Sequence, residues 1–184
     1  MMAKVMKGTA VVSFLLTLLF TALCLSGFHW VLPVAITFGT CFYHFTMRLL
    51  VGYVLDRTMQ NKADYYKPWY QLQPFEHKLY RVLKVKKWKS NMPTYNPSLF
   101  DPKLHSWDEI TQAMCQAEIV HEVIILFSFL PLFAAIPFGS LPGFLITSIL
   151  AALYDLTFVI MQRYNRPRIL KYLQLSQKRA ERST

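Results

Sequence analysis

Glu118 and His121 stand one helical turn apart in an otherwise apolar stretch, A117-E-I-V-H-E122. Positions three or four apart share a helix face, so Glu118 is in register with both His121 and Glu122. An acid and an imidazole so placed can form an oriented general base or the start of a metal site. Further ligands for a metal would have to come from His44, Glu122 and Asp155. No H-E-x-x-H, cysteine pair or second E-x-x-H is present, so no metal is assigned. Cys24, Cys41 and Cys115 lack metal-type spacing and read as small packing residues. Two further polar sets sit in apolar runs: His44 with Arg48 at i, i+4, and Asp155 beside Tyr154. Ionisable groups at such positions cost several kcal/mol and mark function by default. Each also has a plain alternative. Arg48 can snorkel to the surface, Asp155 can neutralise Arg48 across helices, and His44 can be a satisfied core histidine.

The elements that carry these residues follow from composition. The chain has 184 residues, 54% hydrophobic and 15% aromatic, with 20 Lys and Arg against 10 Asp and Glu. Its apolar residues fall into long runs separated by charged stretches, the pattern of a small polytopic membrane protein. The expected fold class is all-α integral membrane, one membrane domain of four transmembrane helices. The spans are drawn at about 9–25, 31–55, 113–136 and 144–160, each near the ~20 residues that cross ~30 Å of hydrocarbon. The first is a helix rather than a signal peptide, because no A-x-A site follows it. Pro131 and Pro137 predict a kinked or frayed outer end for the third.

The turns after spans one and three hold no Lys or Arg, whereas the N-terminus, the loop 56–112 and the tail 163–184 hold nearly all of them. The positive-inside rule then makes both termini and the loop cytoplasmic. Counted inward at ~1.5 Å per residue, the intramembrane polar groups lie roughly 8–18 Å deep in the cytosolic leaflet. Basic residues that flank spans in this way argue for membrane lipids as partners and against nucleic acid. In the loop, apolar positions 75, 79, 80 and 83 recur at helical spacing among lysines, which predicts an amphipathic interfacial helix over Phe75–Lys89. Trp88 reads first as an interfacial anchor.

Where the last span meets the tail, the chain reads Q162-R-Y-N-R-P-R168. The expectation is a helix that leaves the bilayer, held at the interface by Tyr164 and the arginines, and broken before Pro167. Arg163, Arg166 and Arg168 would face the headgroup layer.

The segment F158-V-I-M-Q-R-Y-N-R-P-R-I-L-K-Y-L173, followed by K178-R-A-E-R182, resembles the C-terminus of the glycosyl-4,4′-diaponeurosporenoate acyltransferase family. These are small bacterial membrane proteins of the staphyloxanthin type of carotenoid pathway. Q116-A-E-I-V-H121 before Leu130-Pro131 is similar to that family's third-span A-E-x-x-H pattern, and V85-K-K-W-K89 to its V-x-K-W-K motif. Phe75, Glu76 and Tyr80 are similar to the aromatic-acid stretch before it. The likeness runs from Phe75 to the end; spans one and two match in hydropathy alone.

The resemblance implies a plasma-membrane enzyme that moves a fatty acyl group from an activated donor to a sugar hydroxyl of a glycosylated lipid or carotenoid, with no cofactor. His121 is then the expected base, oriented by Glu118. Arg163, Arg166 and Arg168, with Lys86, Lys87 and Lys89, would hold the phosphates of an acyl-CoA or the acidic face of an acyl carrier protein. Tyr164, Asn165 and Trp88 would stack on or bond the substrate, and His44, Arg48 and Asp155 complete the candidate substrate-binding set. The H-x-x-x-x-D box of glycerolipid acyltransferases is absent. A small membrane methyltransferase and a non-catalytic lipid-binding subunit are the alternatives.

Overall fold

The computed structural model describes residues 2–181, so residues 182–184, the end of the expected tail, lie outside it. In chain order the α-helices are α1 (Met2–Leu25), α2 (Leu32–Met59), α3 (Pro74–Val82), α4 (Val85–Trp88), α5 (Trp107–Phe127), α6 (Ala135–Phe138) and α7 (Leu141–Glu181). No strand occurs among the described residues. Four stretches are long and apolar enough to cross a membrane: Met2–Leu25, His29–Met59, Trp107–Phe138 and Leu141–Leu175. They contain the expected spans and extend them, mostly toward the charged ends, because a helix keeps its hydrogen-bonding pattern past the point where side chains become polar.

Local chemistry sets the ends. α1 closes in a Schellman motif: Phe28 N–H donates to Leu23 O and Gly27 N–H to Cys24 O, both at 3.1 Å, with Gly27 at φ 104°. α2 stops at the left-handed pair Gln60 and Asn61, and the Asn61 N–H donates to Gln116 Oε1 on α5 at 2.6 Å. α5 starts from a capping box, in which Glu109 N–H donates to Ser106 Oγ and Ser106 N–H to Glu109 Oε2. It ends at Phe127, ahead of a 3-10 turn over Leu130–Ala134 that begins at the expected Pro131 break.

α1 packs on α2, α2 on α5, and α5 along α7. Met47, Val51 and Ile124 form a small apolar core between α2 and α5. Much of the remaining apolar surface points outward, for example Leu15, Leu18, Leu150 and Ile136, as a lipid-facing bundle requires.

Two expectations are corrected here. The segment 75–89 is not one helix, because Lys84 takes a left-handed conformation (φ 50°) between α3 and α4. Its inward side is Glu76 and Tyr80, while Phe75, Leu79, Val82 and Leu83 stay exposed and available to the interface. Nor does the last helix break before Pro167: α7 runs through it. An interior proline costs a helix ~3 kcal/mol, and the turn just before it carries two arginines of the site.

Candidate functional site

Arg163 and Arg166 lie one turn apart on α7 and point into the protein rather than toward a headgroup layer. Arg163 donates to Glu118 Oε1 at 2.7 Å, to Glu76 Oε1 at 2.8 Å, and to the carbonyls of Trp69 and Gln71 at 2.8 and 2.9 Å. Arg166 bonds the other oxygen of Glu118 and the Tyr70 carbonyl, and its guanidinium lies over the Tyr70 ring. Glu118 is 0% exposed and Arg166 1%. Tyr80 OH donates to Glu76 Oε2 at 3.1 Å, and next to this carboxylate the phenol pKa is pushed well up by burial first and by Glu76 second.

Two guanidinium charges thus face two carboxylates, and the carbonyls of residues 69–71 take further donors. Burying charge is expensive unless it is paired and hydrogen-bonded in this way. The network ties α3 and the turn over Pro68–Tyr70 onto α5 and onto α7 just before Pro167. Arg163 and Arg166 are thus ion-paired and turned inward, where the sequence had placed them facing the headgroup layer.

Both Glu118 oxygens are taken up by the α7 arginines rather than by His121. The imidazole instead meets Asp155 of α7, with Nδ1 2.9 Å from Oδ1. The other Asp155 oxygen accepts from Arg48 of α2, whose second amino group donates to the His44 carbonyl at 3.0 Å. Asp155 is 1% exposed, whereas His121 retains 22%. The His121 ring stacks on Phe158, with centroids 4.5 Å apart and planes 7° from parallel. Three helices therefore converge on one carboxylate, which joins the expected base to Arg48 through Asp155. The interhelical Arg48–Asp155 pair, one of the plain alternatives, is present, and Asp155 serves His121 at the same time.

The other candidates divide. Glu122 accepts from Trp69 Nε1 at 3.0 Å. His44 is buried edge-on to Tyr43, and among the described residues neither ring nitrogen has a hydrogen-bond partner, unlike the satisfied core histidine of the plain alternative. Trp88 Nε1 donates to the Leu83 carbonyl at 3.0 Å and helps close the turn around Lys84. Asn165 accepts from Lys89, whose ammonium also lies 5.0 Å from the Tyr164 ring centre, while Arg168 lies 3.6 Å from it. Burial and then the Arg168 charge push the Lys89 pKa down. Among the described residues, no three His, Cys, Asp or Glu side chains are grouped to hold a metal ion.

Two concave regions flank this framework. An apolar groove of about 590 Å³ lies between α2 and α5, lined by Phe42, Tyr43, Met47, Val51, Val123 and Phe127 among others. A basic cleft of about 540 Å³ lies between α3–α4 and α7, lined by Arg81, Lys84, Lys86, Lys87, Arg168 and Lys171 with Tyr80 and Tyr164. It collects part of the expected donor-binding set, Lys86, Lys87, Tyr164 and Arg168, and leaves out Arg163 and Arg166.

Sequence reasoning missed the His121–Asp155 pair and the inward arginines. The signals were faint: an aspartate in an apolar run at 155, and an acid and a tyrosine at i, i+4 in Glu76 and Tyr80. A family model described as glycosyl-4,4′-diaponeurosporenoate acyltransferase matches residues 63–175. The matched stretch holds Glu76, Glu118, His121, Asp155 and the arginines of α7, and leaves out His44 and Arg48. No curated protein and no solved structure shows significant similarity to the chain.

Proposed function

The chain belongs to the glycosyl-4,4′-diaponeurosporenoate acyltransferase family, and from that premise we propose that it transfers a fatty acyl group from a thioester donor to a sugar hydroxyl of a glycosylated carotenoid or related glycolipid, with His121 as general base. The observation that carries the reading is the 2.9 Å contact between His121 Nδ1 and Asp155. A carboxylate on Nδ1 holds the imidazole in the tautomer whose Nε2 accepts a proton. Arg48 on the second Asp155 oxygen keeps that carboxylate aimed, and the Phe158 ring fixes the imidazole plane.

The step balances as follows. Nε2 takes the hydroxyl proton while the sugar oxygen attacks the thioester carbonyl. The C–O bond forms, the C–S bond breaks, and the imidazolium returns the proton to the departing thiolate. A positioned base of this kind contributes a factor of about 10² to 10⁴. The basic end of the bundle faces the cytosol, where a soluble donor is available. The apolar groove beside α5 is suited to the lipid part of an acceptor arriving from the bilayer.

The test uses the full chain in nanodiscs with a glycosylated carotenoid and a radiolabelled fatty acyl thioester. The expected product is a labelled, alkali-labile ester on the sugar. Folded protein that forms no such ester from any glycolipid offered would overturn the reading.

A further inference from the structure

Cations at the basic end fall into two groups. Arg163 and Arg166 are matched by Glu76 and Glu118. By contrast, Arg81, Lys84, Lys86, Lys87, Arg168 and Lys171 line one cleft with no acidic side chain in its wall. Among the described residues none of these six has an ion-pair partner. Lys86 and Lys87 are exposed on the short α4, and Arg168 and Lys171 project from α7 across the cleft. Nearby, the Lys89 pKa is lowered by burial first and then by the charges of Arg168 and Lys86. Held close without an anion, such groups repel one another, and a multiply charged oxyanion relieves that repulsion.

We propose that this cleft binds the nucleotide phosphates of a coenzyme A thioester, as the donor subsite of the acyl transfer. The inference rests on the acyltransferase reading for its purpose, and on the cleft for its chemistry. About 540 Å³ of concave space is the size of a small-molecule site, whereas a carrier protein docks over a broader, flatter area. Position agrees as well. Phe158, which stacks on His121, precedes Arg168 by ten residues on the same helix, an axial offset of ~15 Å at ~1.5 Å per residue. A pantetheine arm bridges such an offset, so the phosphates can stay at the basic end while the thioester reaches the imidazole.

The shared chemistry is the phosphate oxyanion, which a nucleotide or an anionic lipid headgroup can supply, so the experiment separates them. Binding of unacylated coenzyme A, 3′-dephospho-coenzyme A and pantetheine is measured by calorimetry on the full chain in phosphatidylcholine nanodiscs, then in phosphatidylglycerol nanodiscs. Coenzyme A is expected to bind more tightly than its dephospho form and pantetheine to be weakest. Lys86→Gln with Lys87→Gln is expected to weaken coenzyme A by roughly tenfold or more, since charge-assisted bonds to phosphate are lost. Arg168→Gln, made separately, should do the same in part, and raised salt should narrow both differences. Equal binding of coenzyme A and pantetheine overturns the proposal, as does indifference to the substitutions. Displacement of coenzyme A by phosphatidylglycerol makes the cleft a headgroup site, and sensitivity confined to holo-acyl carrier protein makes it a protein dock; either result also overturns it. Because no turnover is needed, the two readings fail separately. Coenzyme A binding without acyl transfer strikes the chemistry, and acyl transfer without coenzyme A binding strikes the cleft.

Discussion

Asp155 of α7 and His121 of α5, 34 positions apart in the chain, meet through a 2.9 Å contact at a carboxylate that Arg48 of α2 also holds. That one residue joins three helices and leaves the imidazole partly open while the aspartate is closed off. A purely structural pair would have no need of an accessible partner. The asymmetry suits a group that must touch substrate held by one that must not.

His121→Ala is therefore expected to lower turnover by about 10² to 10⁴ with an unchanged melting temperature in detergent. Asp155→Asn should lose on the order of 10²-fold or more, because the amide no longer enforces the productive tautomer. The double variant should be no slower than His121→Ala alone, since residues acting as one unit are not additive. Turnover per folded molecule is the measurement, and near-normal turnover in folded His121→Ala would move the search for a base to His44.

Glu118→Gln should behave in the opposite manner. It leaves Arg166, which is 1% exposed, without its carboxylate, and breaking a buried pair on one side costs about 3–5 kcal/mol. Expression and thermal stability should fall together, before any kinetic constant can be read. Wild-type melting for Glu118→Gln would show the ion-pair network to be dispensable for folding.

Arg163→Gln and Arg168→Gln should separate cleanly despite their spacing of five residues. Arg163 donates to two carboxylates and two carbonyls, so its loss should destabilise the docking of α3 and the turn over Pro68–Tyr70. Limited proteolysis should then cut within residues 60–90. Arg168 is exposed and, among the described residues, bonds its own helix and the Tyr164 ring, so Arg168→Gln should resist the protease as the parent does.

The orientation argued from charge predicts that Lys62→Cys and Phe138→Cys, each in a background without the native cysteines, label from opposite faces of sealed vesicles. Lys62 should be reached from the cytosolic face. Labelling of both from one face would contradict the arrangement of four crossings.

Much of the architecture was legible in the chain because it follows from one-dimensional quantities. Runs of apolar residues mark the four membrane-length helices, and Pro131 marks the outer end of regular α5. The candidate acid and base were legible as types, since an aspartate, a glutamate and a histidine inside apolar stretches stand out by cost alone. Their pairing was not. Spacing along α5 puts Glu118 in register with His121, but register on one helix says nothing of what approaches from another, and two arginines of α7 claim Glu118 first. The same reason governs Q162-R-Y-N-R-P-R168. Read alone it is an interfacial stop with a proline break; folded, Arg163 and Arg166 are drawn inward by Glu76 and Glu118, and the helix is carried through Pro167. Hydropathy and charge order a chain along the bilayer normal, whereas the choice of ion-pair partner depends on which helix faces meet, and only tertiary packing decides that.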